Sequence, residues 1–283
     1  MNKRGEQMAS YHKSVTASMI GETPKIRISF SGVQKLFKST AVIILLLLLW
    51  EIAPRIGLVD RTFFPPFSKI VEGLWGLIVS GDLYAHFKAS MVRSLSGFGL
   101  AIFIAIPLGI IIGWYPWAKE LLNPILELFR NTAALALLPV FILLLGIGET
   151  SKISIVLFAC VFPILLNTID AVGNVDPLLI RSAKSLGLSS YQLFSKVIIP
   201  ASIPTIFTGI RMSGSASILV LIAAEMVGAK EGLGYLISYT QMNFQIPEMY
   251  AGIITISILG FILNYLLVSI EKKLSKWKVS PNE

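Results

Sequence analysis

Apolar residues in this chain gather in stretches of about twenty, the length that a bilayer core asks of a helix. Six such stretches lie at roughly 37–58, 94–114, 125–147, 151–172, 203–227 and 249–270. The pattern predicts an all-α polytopic membrane protein with six transmembrane helices. Proline punctuates it: Pro139 and Pro163 each remove a backbone donor within a stretch and predict kinks. Gly109 and Gly113 form a G-x-x-x-G pair that lets another helix approach closely. After the first stretch Pro65-Pro66 breaks the chain, and Ser68 is placed to cap a helix. Ile70, Val71, Leu74, Leu77 and Ile78 then follow at helical spacing, predicting an amphipathic helix along the membrane interface.

Composition narrows the function. Of 283 residues 54% are hydrophobic and 14% charged, with a mean hydropathy of +0.75. Those values exclude a disordered or nucleic-acid-binding chain and argue against a soluble enzyme. The single cysteine, Cys160, lies in an apolar stretch, and the two histidines, His12 and His86, lie outside the stretches. No disulfide framework or metal site is expected, and no glycine is followed by lysine, so there is no P-loop. ATP and magnesium, if used, belong to another chain.

The formal charge of +8 matters through its placement. With six spans and an internal N-terminus, sixteen basic residues fall on cytoplasmic segments or the span ends adjoining them and six on external segments or theirs, Arg93 and Arg211 being counted with the spans. The positive-inside rule then puts both termini in the cytoplasm of a cell-membrane protein. The basic leader is too long for the n-region of a signal peptide and lacks a cleavage site. The organisation expected is a leader over 1–36, a six-span domain over 37–272 and a tail over 273–283.

The segment 176–200 holds the most information. Asp176 is a good N-cap and Pro177 suits the first helical position. A short helix to Leu186 ends at Gly187, the left-handed stop, and Ser189 with Gln192 forms a capping box for a second helix. Pro200 and Pro204 punctuate the approach to span five. Capping alone fits either an elbow joining two spans or a functional lever.

Spacing adds to this. Arg181-Ser182-Ala183, three residues, Gly187, nine residues, then Val197, Ile199 and Pro200 resembles the Glu-Ala-Ala loop of importer-type ABC permeases. The gaps match; Arg181 and Ser182 depart from the usual Glu and Ala. The stretches 134–139 with Gly146-Ile147-Gly148-Glu149, 162–168, Ala224-Glu225-Met226 and Gly232-Leu233-Gly234-Tyr235 resemble the nitrate/sulfonate/taurine branch of that family. The resemblance implies a coupling helix at 177–186, with Arg181, Ser182, Ala183, Lys184, Gly187 and Pro200 acting towards a cytoplasmic ATP-binding subunit. It implies an external solute-binding protein, a second permease copy, and a re-entrant scoop in the external segment 228–247. Arg181 in place of Glu implies a compensating acid on the ATPase.

Polar side chains inside spans are costly and are functional candidates. Asn131 and Asn167 fit interhelical hydrogen bonds or a translocation path. Arg211, with Ser213, Ser215 and Ser217, fits a path for an anion, because a guanidinium forks onto an oxyanion; equally it fits pairing with Asp170 or a lipid phosphate. Glu225 fits an external gate or a loop anchor. The leading function is a pore subunit, not an enzyme, importing a small oxyanion such as nitrate, an alkanesulfonate or taurine. The same scaffold serves heterocyclic vitamin precursors in related permeases. A stand-alone secondary transporter would show internal repeats, and none is found. An intramembrane serine enzyme built on Ser213-Gly214-Ser215 would lack an activating histidine or lysine.

Overall fold

A computed structural model describes residues 30–274, and every regular element among them is helical. The chain divides into two units, Met1–Ile52 and Ala53–Glu283. Helix α1 (Phe30–Arg55) covers most of the first predicted span, and Val42 to Leu49 on it are exposed. The leader's Lys3, Arg4, Lys13, Lys25 and Arg27, and the tail's Lys276 and Lys278, lie outside the described residues.

The second unit holds α2 (Phe67–Val79), α3 (Asp82–Trp114), α4 (Pro116–Arg130), α5 (Leu138–Leu145), α6 (Glu149–Gly173), α7 (Pro177–Ser185), α8 (Ser190–Glu225), α9 (Leu233–Met242) and α10 (Ile246–Leu274). Among the described residues four helices, α3, α6, α8 and α10, are long and apolar enough to cross a membrane; α4 with α5 makes a fifth candidate span, bent by 81°.

At the centre stands α6, packed along α3 on one side and α8 on the other. The close approach has a simple cause. Gly97, Ala101, Ala105, Gly109 and Gly113 recur every fourth residue and so share one face of α3. A Cβ on Gly109 would sit 2.6 Å from Thr168 Cβ, and one on Gly113 would sit 2.8 Å from the Ile169 carbonyl. The predicted glycine pair is therefore the end of a longer small-residue ladder. Around it pack Val156, Cys160, Ile164, Leu165, Ile169, Ile206, Ile210 and Leu221.

Four expectations are corrected. The third span is not one helix: α4 stops at Arg130, and a 3₁₀ turn (Ala134–Leu137) leads into α5. Asn131 and Thr132 turn their side chains back onto the Glu127 and Leu128 carbonyls, and Pro139 cannot donate to a preceding turn. Pro139 thus starts α5 instead of kinking a span. Pro200 and Pro204 do not separate the elbow from span five, because a π turn at Phe194–Ile198 carries α8 through as one 36-residue helix. Ser68 lies within α2, which begins after Pro66 with no side-chain cap; its Oγ accepts from Arg55 at 3.2 Å. Finally, α3 begins a dozen residues before the predicted span, because its N-terminal part carries polar turns in which Ser90, Arg93 and Ser94 are buried against polar groups of other helices.

Candidate functional site

Those polar turns meet the ends of α6 and α8. Arg93, 4% exposed, forks Nε and Nη2 onto the carboxylate of Glu149, the first residue of α6, at 2.5 and 2.6 Å. Its Nη1 donates to Glu225, the last residue of α8, at 2.7 Å and to the Glu231 carbonyl at 2.6 Å. Glu225 is fully buried, so its charge needs partners. It accepts from the Ser90 hydroxyl, from Arg93 and from the Gly234 N–H at 3.0 Å. The Leu233 N–H donates to Ser90 Oγ at 2.8 Å, and the Gly232 N–H to His86 Nδ1 at 3.2 Å. One guanidinium and one buried carboxylate therefore clasp three helices and the turn before α9.

Glycine is required at that turn. Gly232 has φ +125°, and a Cβ there would collide with the Glu225 carboxylate; a Cβ on Gly234 would collide with the Ile222 carbonyl. Three sequence fragments, 146–149, 224–226 and 232–235, thus converge on one cluster. Between the alternatives for Glu225, the geometry is that of a loop anchor. Arg93, Ser90 and His86 are the members that sequence alone did not single out. The available signal was an arginine at the margin of a span, which had to find a carboxylate. Beside the clasp an open bowl of about 1180 Å³ is lined by residues that include Trp75, His86, Glu231, Tyr235, Tyr239 and Glu248.

The opposite end of α6 and α8 carries the elbow. Asp176 accepts from the Leu178 N–H at 2.8 Å and Pro177 opens α7. Gly187 has φ +75°, and Ser189 and Gln192 form the reciprocal capping box. Val172, Val175, Ala183, Leu193 and Ile198 close a small core of the elbow's own, and Trp114 packs edge-on to Phe194 at 4.9 Å. Arg181, Ser182, Lys184 and Gly187 face outward, Ala183 is buried and Pro200 is half-buried inside α8. Leu178, Leu186 and Tyr191 are also exposed, at 67%, 80% and 78%, although the sequence pattern gave them no surface role.

The remaining polar residues do not gather at one point. Ser213 Oγ donates to the Cys160 carbonyl, and Ser217 Oγ donates to the Gly214 carbonyl and lies 3.2 Å from Ser94 Oγ. Both serines are fully buried between helices, whereas Ser215 is exposed. Asn167 bonds back to the Pro163 carbonyl, within an α6 that runs through that proline as one helix. Arg211 pairs with Glu271 of α10 at 3.1 Å, while Asp170 pairs with Lys119, so the anticipated Arg211–Asp170 pair does not form.

The family profile described as binding-protein-dependent transport system inner membrane component matches residues 105–276. The chain belongs to that family. Among its relatives, an aliphatic sulfonates transport permease protein, SsuC of Bacillus subtilis, is 34% identical over 82% of this permease and 84% of its own length. The taurine transport system permease protein TauC of Escherichia coli is 32% identical over 84% of this permease and 89% of its own. Of solved structures, one of the MetNI methionine ABC transporter in an inward-facing conformation matches with a TM-score of 0.58, over 66% of this chain and 93% of that one. At 17% identity that likeness speaks to the fold. The permease is thus a multi-pass membrane subunit of an ABC importer, and clasp and elbow lie at the two ends of its central helices.

Proposed function

We propose that this permease forms half of a homodimeric pore in the cell membrane and imports a small sulfonate-type oxyanion, an alkanesulfonate or taurine. The elbow faces the cytoplasm and seats in a groove of a separate ATP-binding subunit, with Leu178, Arg181, Leu186 and Tyr191 on the seating face. The clasp end faces outward and receives the solute from an external binding protein. Both termini are then cytoplasmic, in keeping with the sixteen-to-six distribution of basic residues.

One observation carries the reading. The elbow has its own caps and core, and it continues without interruption into a 36-residue helix that ends at the buried Glu225. A capped, packed lever joined to a long helix passes its displacement on as a tilt of that helix, which a loose loop would absorb. The sulfonate class is taken from SsuC and TauC, whose names state their solutes.

Reconstitution tests it. Proteoliposomes holding the permease and its ATPase, with binding protein and labelled taurine or ethanesulfonate outside, are expected to accumulate solute only with ATP inside. Accumulation without the ATPase, or none of either sulfonate in a complex whose ATPase responds to loaded binding protein, would overturn the coupling and the solute class respectively.

A further inference from the structure

Helix α4 carries three stripes. Ala118, Leu122, Leu126 and Phe129 form the packed one: Ala118 and Leu126 are buried, Leu122 joins the central core, and Phe129 stacks on Phe162 at 5.3 Å. Trp117, Leu121, Ile125 and Leu128 form a second, between 54% and 67% exposed and wholly apolar. The third is polar. Glu120, Asn123, Glu127 and Arg130 recur at intervals of three and four and fall within an arc of about 80°.

The third stripe climbs into the membrane. Near its start Lys119 pairs with Asp170, close to the elbow end of α6. At its top Phe129 lies against Phe158 and Phe162, which flank the middle of the 25-residue α6. There α4 ends, in a Glu127–Arg130 pair at 2.6 Å whose side chains are 38% and 51% exposed. The backbone then breaks from helix before the 3₁₀ turn, with Asn131 exposed. An exposed charged pair at half depth is expensive against hydrocarbon. Irregular backbone at that depth is tolerated only inside protein or beside a water-filled cavity. The apolar stripe already gives α4 a face that suits lipid, so the polar one faces something else.

We propose that Glu120, Asn123, Glu127 and Arg130 line a water-filled half-channel from the elbow end to mid-depth, and that Arg130, beside the break at Asn131, holds the oxyanion of the solute. The second part rests on the importer reading above; the first does not. Arg130 is suited to the role because its planar fork matches a sulfonate. Glu127 competes for the same guanidinium, which keeps the hold weak enough for release.

The test uses thiol chemistry in the assembled transporter in membrane vesicles. Cys160 is the only cysteine and is fully buried, so a Cys160→Ser chain gives a silent background. Single cysteines replace Glu120, Asn123 or Glu127 on the polar stripe, and Leu121, Ile125 or Leu128 on the apolar one. The impermeant trimethylammonioethyl methanethiosulfonate is expected to modify the first set at least about ten times faster, and only from the elbow side. Equal rates on the two stripes would overturn the half-channel. So would disulfides between copies at 123 or 127 with no modification, which would make the stripe a dimer contact.

For the anion, the sulfonatoethyl reagent is the probe at Asn131→Cys. Relative to their rates with a free thiol, it should outpace the cationic reagent, and Arg130→Gln should shift that preference about tenfold towards the cation. An unchanged preference would overturn the role of Arg130. Labelling needs no transport, so a chain that takes up neither sulfonate yet shows this pattern refutes the solute class and not the half-channel.

Discussion

Replacing Arg93 with methionine keeps most of the side-chain volume and removes the charge that Glu225 depends on. The substitution deletes four hydrogen bonds, two to Glu149, one to Glu225 and one to the Glu231 carbonyl. Glu225, fully buried, keeps Ser90 and the Gly234 N–H but loses its counter-charge. Breaking a buried pair from one side costs about 3–5 kcal/mol. The Glu149 side chain is 64% exposed, so Glu149→Gln should cost no more than about 1 kcal/mol. The double variant Arg93→Met/Glu225→Gln leaves no orphan charge and should recover about 2 kcal/mol of the single loss. Hydrogen exchange of the Gly234 and α9 amides, on the complex in nanodiscs, reads this directly. Arg93→Met should raise exchange there roughly a hundredfold or more, with little change in α6 beyond its first turn. Exchange in α9 equal to that of Glu149→Gln, or a double variant worse than the single, would show that Arg93 does not hold the turn.

Three further outcomes follow from the packing and the elbow. Gly109→Val drives a branched side chain into Thr168 and should cost about 1–3 kcal/mol of thermal stability, whereas Gly99→Ala, with nothing within 4 Å, should be neutral in the same melt. Gly187→Ala forces a Cβ into φ +75°, about 1 kcal/mol of strain at the turn. It should lower the solute taken up per ATP without changing the yield of assembled complex. Arg181→Glu should weaken coupling if the ATPase offers an acid there, and an acid-to-lysine change on the ATPase should restore it; unchanged coupling would remove that contact from the account.

The sequence carried much of this fold because lipid leaves few options for the backbone. Runs of apolar residues had to be helices, and Asp176, Pro177, Gly187 and the Ser189–Gln192 box act on their immediate neighbours, so the helical class and the elbow could be read locally while several span boundaries could not. What could not be read depends on distance. Arg93 and Glu225 are 132 residues apart, and only the packing of α3, α6 and α8 brings them together. The break after Arg130 is hidden because an apolar run with one proline fits a kinked helix as well as a bent pair. The polar stripe of α4 went unread because the span expected from 125 cuts through it, and its meaning required the depth given by Phe129 against Phe158 and Phe162. Ser213 and Ser217 looked like path residues by type, but beside a small-residue ladder, hydroxyls also serve as interhelical bonds.

Helix α8 gives the two ends a mechanical relation. At its elbow end Leu193 and Ile198 are locked into the elbow core, and Ser202 donates to the Ala171 carbonyl of α6 at 3.0 Å. Its far end is Glu225, held by α3 and the turn before α9. Between lies a helix of about 54 Å, at roughly 1.5 Å per residue. Its soft place is the π turn, followed by Pro200 and Pro204, where two carbonyls lack their usual donors. Bending should concentrate there and leave the stretch from Thr205 to Glu225 straight, so that a displacement of the elbow reaches the clasp as a tilt. Spin labels at exposed Thr205 and Leu219 should then keep one distance through the ATP cycle, while the distance from Tyr191 to Leu219 changes by several ångströms. A changing first distance, or an unchanging second, would mean that motion does not travel along this helix.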